Sequence, residues 1–409
     1  MIAEFEVLIV GGGPVGAAAA ALLARSGALP AARVALLAPD IAASEQPVAE
    51  DAPCDLRVSA LGRAAQLVLR AAGAWQQLPQ QRLCAYERMR VWHESLPPDG
   101  AGTLVFDAAE LAEPELGVLA ENRPVTRACL QSFRAAGGTV LPAALASLTM
   151  EASRILCHTS AGEYSTRLLV GADGARSQVR EQLGLAVHAH AYGQRAIVAN
   201  IATQRPHQHT AWQRFLSTGP LALLPLFDGH CSIVWSAEDA LATELMALSP
   251  QAFAARLDAA SDGVLGRTTL VSERAALPLA RTTAQQLIAS RAALIGDAAH
   301  QIHPLAGQGV NLGFLDAAAL CAAVTQALGE GEDPGALRAL RRYEQQRLTH
   351  NVLMSFSMSA FNGIFSQGGP AGWVGARLLA AAGASATARR LFARRAMGLD
   401  VLPAQLVGS

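Results

Sequence analysis

The sequence lacks the features by which small secreted proteins, metal proteins and nucleic-acid binders announce themselves. Its six cysteines, Cys54, Cys84, Cys129, Cys157, Cys231 and Cys321, form no Cys-x-x-Cys pair and no His-containing ligand spacing. That argues against a disulfide framework and a zinc site, and fits free thiols in a reducing cytosol. Charged residues are 16% of the chain and the formal net charge is -1, so there is no basic field to attract nucleic acid, which is set aside. Glu4 and Glu6 stand where a secretory signal would carry positive charge, and no such signal is expected. The uncharged stretch 351–376 is interrupted by Ser355, Ser357, Asn362, Gly368, Gly369 and Pro370, a poor lipid-spanning helix, so no transmembrane segment is expected either. Apolar residues are abundant, at 51% of 409. Alanine accounts for part of this, and the rest points to a greasy ligand, an oligomer interface or membrane contact. The length calls for two or more lobes.

Three stretches stand out. In the first, the aliphatic run Val7 to Val10 leads into Gly11-Gly12-Gly13-Pro14-Val15-Gly16 and an alanine-rich helix, Ala17 to Ser26. Gly11, Gly13 and Gly16 have the Gly-x-Gly-x-x-Gly spacing: a tight turn, a close approach for a pyrophosphate, and close helix–strand packing. A second buried strand, Val34 to Leu37, completes a βαβ unit. Its end, where an acid usually holds the adenosine ribose, reads Ala38-Pro39-Asp40. Either Asp40 substitutes or the ribose is left to backbone and water. In the second stretch, a buried strand from Arg167 runs into Asp173-Gly174, a turn signal, followed by Arg176, Ser177 and Arg180. In the third, Ala293 to Gly296 is a short buried strand with Asp297 at its carboxyl end, where open α/β sheets place ligands. Gly307-Gln308-Gly309 then precedes a helix with Leu312, Leu315, Ala319 and Ala322 on one face; unpaired N–H groups at such a terminus attract negative charge.

Between these, Ser59 is expected to cap a helix carrying Leu61, Ala64, Val68 and Ala72 on one face. Arg57 then stands just before a helix, where a surface arginine and an anion clamp fit equally well. Arg127, in a helix beginning near Thr126, is open in the same way. Residues 186–285 lose the α/β rhythm: Ala196–Ile201, Ala211–Leu216, Leu221–Phe227 and Cys231–Trp235 read as strands, with Asp228-Gly229 as a hairpin turn. Leu221 to Leu226 is apolar on both alternating faces, so one face lines either a pocket or simply more core. The Met/Phe-rich stretch from Val352 to Phe365 suits core packing or a surface for lipid or a partner.

Taken in order, Gly11-x-Gly13-x-x-Gly16, Gly171-Ala172-Asp173-Gly174-x-x-Ser177-x-x-Arg180 and Gly296-Asp297-Ala298-Ala299-His300-x-x-His303-Pro304-x-x-Gly307-Gln308-Gly309-x-Asn311-Leu312-Gly313 resemble the class A flavoprotein aromatic monooxygenases. The third motif, with Leu56-Arg57-Val58-Ser59-Ala60, Gly219-Pro220-Leu221-Ala222, Cys231-Ser232-Ile233-Val234-Trp235 and Ala396-Met397-Gly398-Leu399, is most similar to the ubiquinone-biosynthesis hydroxylase branch (UbiH, UbiI, UbiF). Within it, similarity to the 2-polyprenylphenol hydroxylases (UbiI) is strongest and UbiH is the near alternative.

The resemblance implies an α/β fold like that of p-hydroxybenzoate hydroxylase. A Rossmann-like FAD domain over 1–185 and 286–330 would carry an inserted β-sheet substrate lobe over 186–285 and a C-terminal helical region over 331–409. It implies FAD with NAD(P)H as reductant, O2 as oxidant acting through a C4a-hydroperoxyflavin, and a hydrophobic polyprenylated phenol as substrate. It further implies a ubiquinone-biosynthesis complex as partner and a cytoplasmic protein peripheral to the inner face of the membrane. By the same resemblance Gly11, Gly13, Pro14 and Gly16 cradle the pyrophosphate, with Asp173 and Gly174 as a further wall. Asp297 takes ribityl or ribose hydroxyls, Pro304, Gly307, Gln308, Gly309 and Asn311 meet the isoalloxazine edge, and Arg57 and Arg127 lie beside the flavin. His303 and His300 are candidate bases for the phenol proton, since an imidazole titrates near neutrality. The rival readings are a flavin-binding scaffold without turnover, and a dehydrogenase or halogenase on the same fold. No lysine is placed to relay hypohalous acid.

Overall fold

A computed structural model describes residues 2–100, 102–301, 309–348, 351 and 397–398. In chain order it begins with β1 (Ala3–Val10), α1 (Pro14–Arg25), β2 (Val34–Leu37), α2 (Ile41–Glu45), β3 (Val58–Gly62), α3 (Arg63–Ala71), β4 (Cys84–Tyr86), β5 (Arg88–His93), β6 (Leu104–Asp107) and β7 (Gly117–Glu121). Then come α4 (Asn122–Ala135), β8 (Thr139–Leu141), β9 (Leu145–Met150), β10 (Ile155–Thr159), β11 (Gly162–Gly171), α5 (Gln178–Gln182), β12 (Val187–Thr203), β13 (Thr210–Leu216), β14 (Gly219–Pro225) and β15 (Cys231–Glu238). The last part holds α6 (Asp239–Ala247), α7 (Pro250–Ala260), β16 (Thr268–Leu270), β17 (Ala275–Ala284), β18 (Ile288–Ala289), β19 (Ala292–Leu294), β20 (His300–Gln301), α8 (Gly309–Gly329) and a helix over 337–348.

The first sheet has the order β18-β19-β11-β1-β2-β8, and β1 runs parallel to both β11 and β2. Parallel strands are covered on both faces, so they read as unbroken aliphatic runs; Val7, Leu8 and Ile9 are fully buried. One cover is α1, whose Gly16 to Ala24 are all buried. Alanine suits this place because its small side chain lets α4 and α8 approach α1 from other sides. By length and composition α8 could cross a membrane, with a mean hydropathy of 1.5. It is instead packed against α1 and α3, with Leu312 to Leu320, Ala323, Val324 and Ala327 buried.

The second sheet is antiparallel but for the β5–β13 pair, in the order β20-β17-β12-β15-β14-β13-β5-β6. It contains the strands expected over 186–285 and draws β5 and β6 from far upstream. The Asp228-Gly229 hairpin forms as expected, with Gly229 at φ +84°. One face, including Ile197, Leu221, Leu223, Ile233 and Trp235, buries against Phe253 of α7. The other presents Ala222 and Leu224 to Tyr86, Ala60 and Met397. Both faces of β14 are therefore core, which decides the alternative left open for Leu221 to Leu226.

The segment around Ser59 corrects the sequence reading. Residues 58–62 form β3, paired antiparallel with β7, and the following helix is capped by Gly62. Pairing with β7 satisfies the backbone, and the Ser59 hydroxyl donates instead to Asn122 Oδ1 at 2.7 Å. The expected helical face survives from Ala64 to Ala72, but Leu61 belongs to the strand. Cys54, Cys84, Cys129, Cys157 and Cys231 are buried; burial pushes the Cys84 thiol up to about 11 and Cys231 to about 12, so neither is a ready nucleophile. Among the described residues no cluster of metal-ligating side chains occurs. The stretch 352–365 lies outside the described residues.

Candidate functional site

The three sequence motifs, far apart along the chain, end at one edge of the first sheet. Val10 is level with Leu37 on β2 and with Gly171 on β11, and Gly171 is level with Leu294 on β19. Backbone bonds tie the turns that follow: Gly11 N donates to Leu37 O at 2.9 Å, Ala172 N to Val10 O at 2.8 Å and Ile295 N to Gly171 O at 2.9 Å. The carboxyl ends of parallel strands are where open α/β sheets bind ligands.

The glycine turn has the shape a pyrophosphate needs. Gly11 sits at φ +119°, and a Cβ there would lie 2.2 Å from Ala172 O. On Gly16 a Cβ would lie 2.0 Å from Gly11 O, while on Gly13 it would meet nothing within 4 Å. Two glycines are thus required by the packing, and the third leaves open space. No side chain caps α1, which starts with Pro14 after Gly13, so its first-turn N–H groups are left for an anion. The slot after β2 is apolar: Ala38 is buried, and a Cβ on Gly12 would lie 2.7 Å from Ala38 Cβ and 2.8 Å from Ile41 Cδ1. Asp40 is exposed two residues on.

The third motif closes over α1. Gly296, at φ +60°, brings a would-be Cβ within 3.2 Å of Val15 Cγ1, and Gly313 of α8 brings one within 2.5 Å of Val15 Cγ2. Asp297 therefore emerges beside the first turn of α1. Its side chain reaches solvent, yet desolvation by the surrounding protein raises its pKa, with His300 opposing. His300 is buried, and its Nε2 is engaged by Asp316 of α8. Asn311 spends its amide on β3, accepting from Gly62 N at 3.0 Å and donating to Ala60 O at 2.8 Å. It thereby anchors the strand that Arg57 precedes. Gly309 opens α8; His303, Pro304, Gly307 and Gln308 lie outside the described residues.

The remaining candidates are dispersed. Arg57 is exposed, with no side-chain partner among the described residues. Arg127 points elsewhere, donating from Nε to Glu45 O at the end of α2, so it belongs to the β2 side of the crevice and the two arginines are not one clamp. The Asp173 carboxylate accepts from Ser177 Oγ and from Val179 N at 3.1 Å, bracing the start of α5, which Ser177 caps by accepting from Arg180 N, and Gly174 makes the turn at φ +80°.

Sequence reasoning named Arg180 without giving it a role and missed Arg82 and Glu121, yet these residues hold the parts together. Arg180 donates to Ala298 O and Ala175 O, both at 2.9 Å, joining the second motif to the third. Arg82 and Glu121 form a buried bidentate pair, and Arg82 also gathers the carbonyls of Ala49, Glu50 and Ala52 upstream of Arg57. Asp316, a lone carboxylate in the apolar run of α8, was a legible signal that the sequence reading did not use.

The strand-end crevice with its glycine turn defines a dinucleotide-binding protein, and comparison with known proteins points to a flavin as the dinucleotide. The FAD binding domain family matches residues 143–354. The chain is 35% identical to 3-demethoxyubiquinol 3-hydroxylase of Escherichia coli, over 89% of this chain and 91% of that one. It is 34% identical to ubiquinone hydroxylase UbiL of Rhodospirillum rubrum, over 96% and 89%. The solved structure of p-nitrophenol 4-monooxygenase PnpA from Pseudomonas putida shares the fold, with a TM-score of 0.74 at 19% identity, covering 97% of this chain and 99% of that one. The chain belongs to the FAD-dependent monooxygenase family that contains the ubiquinone-biosynthesis hydroxylases.

Proposed function

We propose that this protein hydroxylates the aromatic ring of a polyprenylated phenol in ubiquinone biosynthesis. The convergence of Gly11–Gly16, the Asp173 turn and Asp297 at one sheet edge carries the reading, and the named activities of the relatives support its substrate class. One O2, one NAD(P)H and one proton would yield the hydroxylated ring, water and NAD(P)+. FAD, when bound, supplies the electron transfer and oxygen activation. The chain's part is to bind and orient. Gly11, Gly13, Pro14 and Gly16 take the pyrophosphate on the N-terminus of α1, and Asp297 takes sugar hydroxyls. The N-terminus of α8 at Gly309, with Pro304, Gly307 and Gln308 before it, stabilises negative charge at the flavin's pyrimidine edge. Asn311 keeps β3, and with it Arg57, against that edge. The apolar β-lobe excludes water from the reacting centre.

Of the two candidate bases, we assign proton removal from the phenol to His303, since His300 is buried with its Nε2 on Asp316. Hydroxylation by His303→Ala should lose the wild-type dependence on pH; an unchanged profile removes His303 from the mechanism.

The sequence resemblance favours 2-polyprenylphenol as substrate, the ring gaining its first additional hydroxyl, whereas the Escherichia coli relative is named for hydroxylation of 3-demethoxyubiquinol, which favours a later ring hydroxylation as the second reading. Deletion of the gene followed by mass spectrometry of quinone precursors separates them. Accumulated 2-polyprenylphenol supports the first, accumulated demethoxyubiquinol the second, and unchanged ubiquinone sinks both. The polyprenyl tail and the 51% apolar composition favour a cytoplasmic protein resting on the inner membrane face, within a biosynthetic complex; recovery of the whole pool in a soluble, monomeric fraction would count against that placement.

A further inference from the structure

Asp316, on α8, is a fully buried carboxylate. Its Oδ2 accepts from Gly296 N at 3.0 Å and from His300 Nε2, and its Oδ1 accepts from Arg347 Nε at 2.7 Å and Asn351 Nδ2 at 3.4 Å. Arg347 in turn donates from Nη2 to Asn351 Oδ1 at 2.8 Å. Tyr343, one turn earlier, donates its hydroxyl to Leu294 O at 2.6 Å, the last residue of β19. Burial alone would raise the Asp316 pKa, but His300 and Arg347 outweigh it and hold the group ionised.

A charge taken wholly out of water is expensive, and apolar side chains could pack the same space. What the carboxylate adds is direction. It grips the amide of Gly296, the left-handed residue immediately before Asp297, and the imidazole three residues after Asp297, so the turn that presents Asp297 is held on both sides by one group. Arg347, Asn351 and Tyr343 fasten that group and β19 to the helix beyond 337.

We propose that Asp316 is a positioning residue for the FAD site, setting the Gly296–Asp297 turn so that Asp297 meets the cofactor's sugar hydroxyls. This rests on the FAD-site reading above. The test titrates apoprotein with FAD, following flavin fluorescence, for wild type, Asp316→Asn and Asp297→Asn, with circular dichroism to establish folding. Asp316→Asn should fold cooperatively yet bind FAD about tenfold or more weakly, the loss expected for a charged hydrogen bond. Asp316→Asn that binds FAD as wild type does, beside a weakened Asp297→Asn, overturns the positioning role alone. Asp297→Asn that binds normally overturns the assignment of Asp297 itself. If Asp316→Asn does not fold, hydrogen exchange on wild type decides. FAD should slow exchange of the Gly296 amide, which donates to Asp316, far more than exchange in the α6–α7 region, and an unaltered Gly296 amide overturns the proposal.

Discussion

Asp297 shows how one carboxyl trades stability for binding. Desolvation raises its pKa in the fold, so the folded chain holds that proton more tightly than the unfolded chain. Such a group contributes stability below the ordinary carboxylate pKa, and the contribution is lost as pH rises through the folded value. At neutral pH an ionised Asp297 therefore costs the apoprotein stability. Hydroxyl donors favour the charged form, so FAD uptake should relieve the cost and, between the ordinary and the raised pKa, release the proton. FAD affinity is then expected to rise with pH from the ordinary carboxylate value up to the raised one, and Asp297→Asn to lose that rise. Fluorescence titrations of apoprotein at stepped pH check this; a rise that survives in Asp297→Asn would belong to another group.

At the scale of elements, the turn into α1 separates packing from binding within six residues. Gly16→Ala would place a Cβ 2.0 Å from Gly11 O, forcing α1 off the strand end at a cost of about 2–3 kcal/mol. Gly13→Ala meets nothing within 4 Å and keeps an allowed φ of -73°, so it should cost about 1 kcal/mol or less while its methyl blocks the pyrophosphate. Urea unfolding of the apoproteins and FAD titration of Gly13→Ala measure the two effects. Equal destabilisation by both substitutions would refute the division. These glycine roles were legible in the sequence because spacing alone dictates them, as were β1, β2 and β19, whose aliphatic runs need no distant partner to be recognised. Ser59 was not legible: its local pattern suits a helix cap, and only β7, nearly sixty residues later, makes it strand. Asn311, Asp173 and Arg127 fall between the two cases. Motif or family resemblance placed them near the crevice, but their side chains serve β3, α5 and α2, a choice decided by contacts that sequence spacing does not encode.

Across the whole molecule, the cofactor crevice joins the first, second and third motifs of one sheet, whereas the antiparallel lobe has a core of its own around Ile233, Trp235 and Phe253. Ligand binding stabilises whatever it touches by mass action, about 2.7 kcal/mol at a hundredfold excess over Kd. If FAD binds at the sheet edge, that gain must appear where the strand ends meet. Hydrogen exchange with and without FAD is expected to show new protection at the turns after β1, β2, β11 and β19 and in the first turns of α1 and α8. Protection in α6 and α7 should change little, since they pack on the far face of the β-lobe sheet. Protection confined to that lobe would place the cofactor elsewhere, and uniform protection would mean that the two cores unfold as one unit, with the lobe's stability also under the cofactor's control.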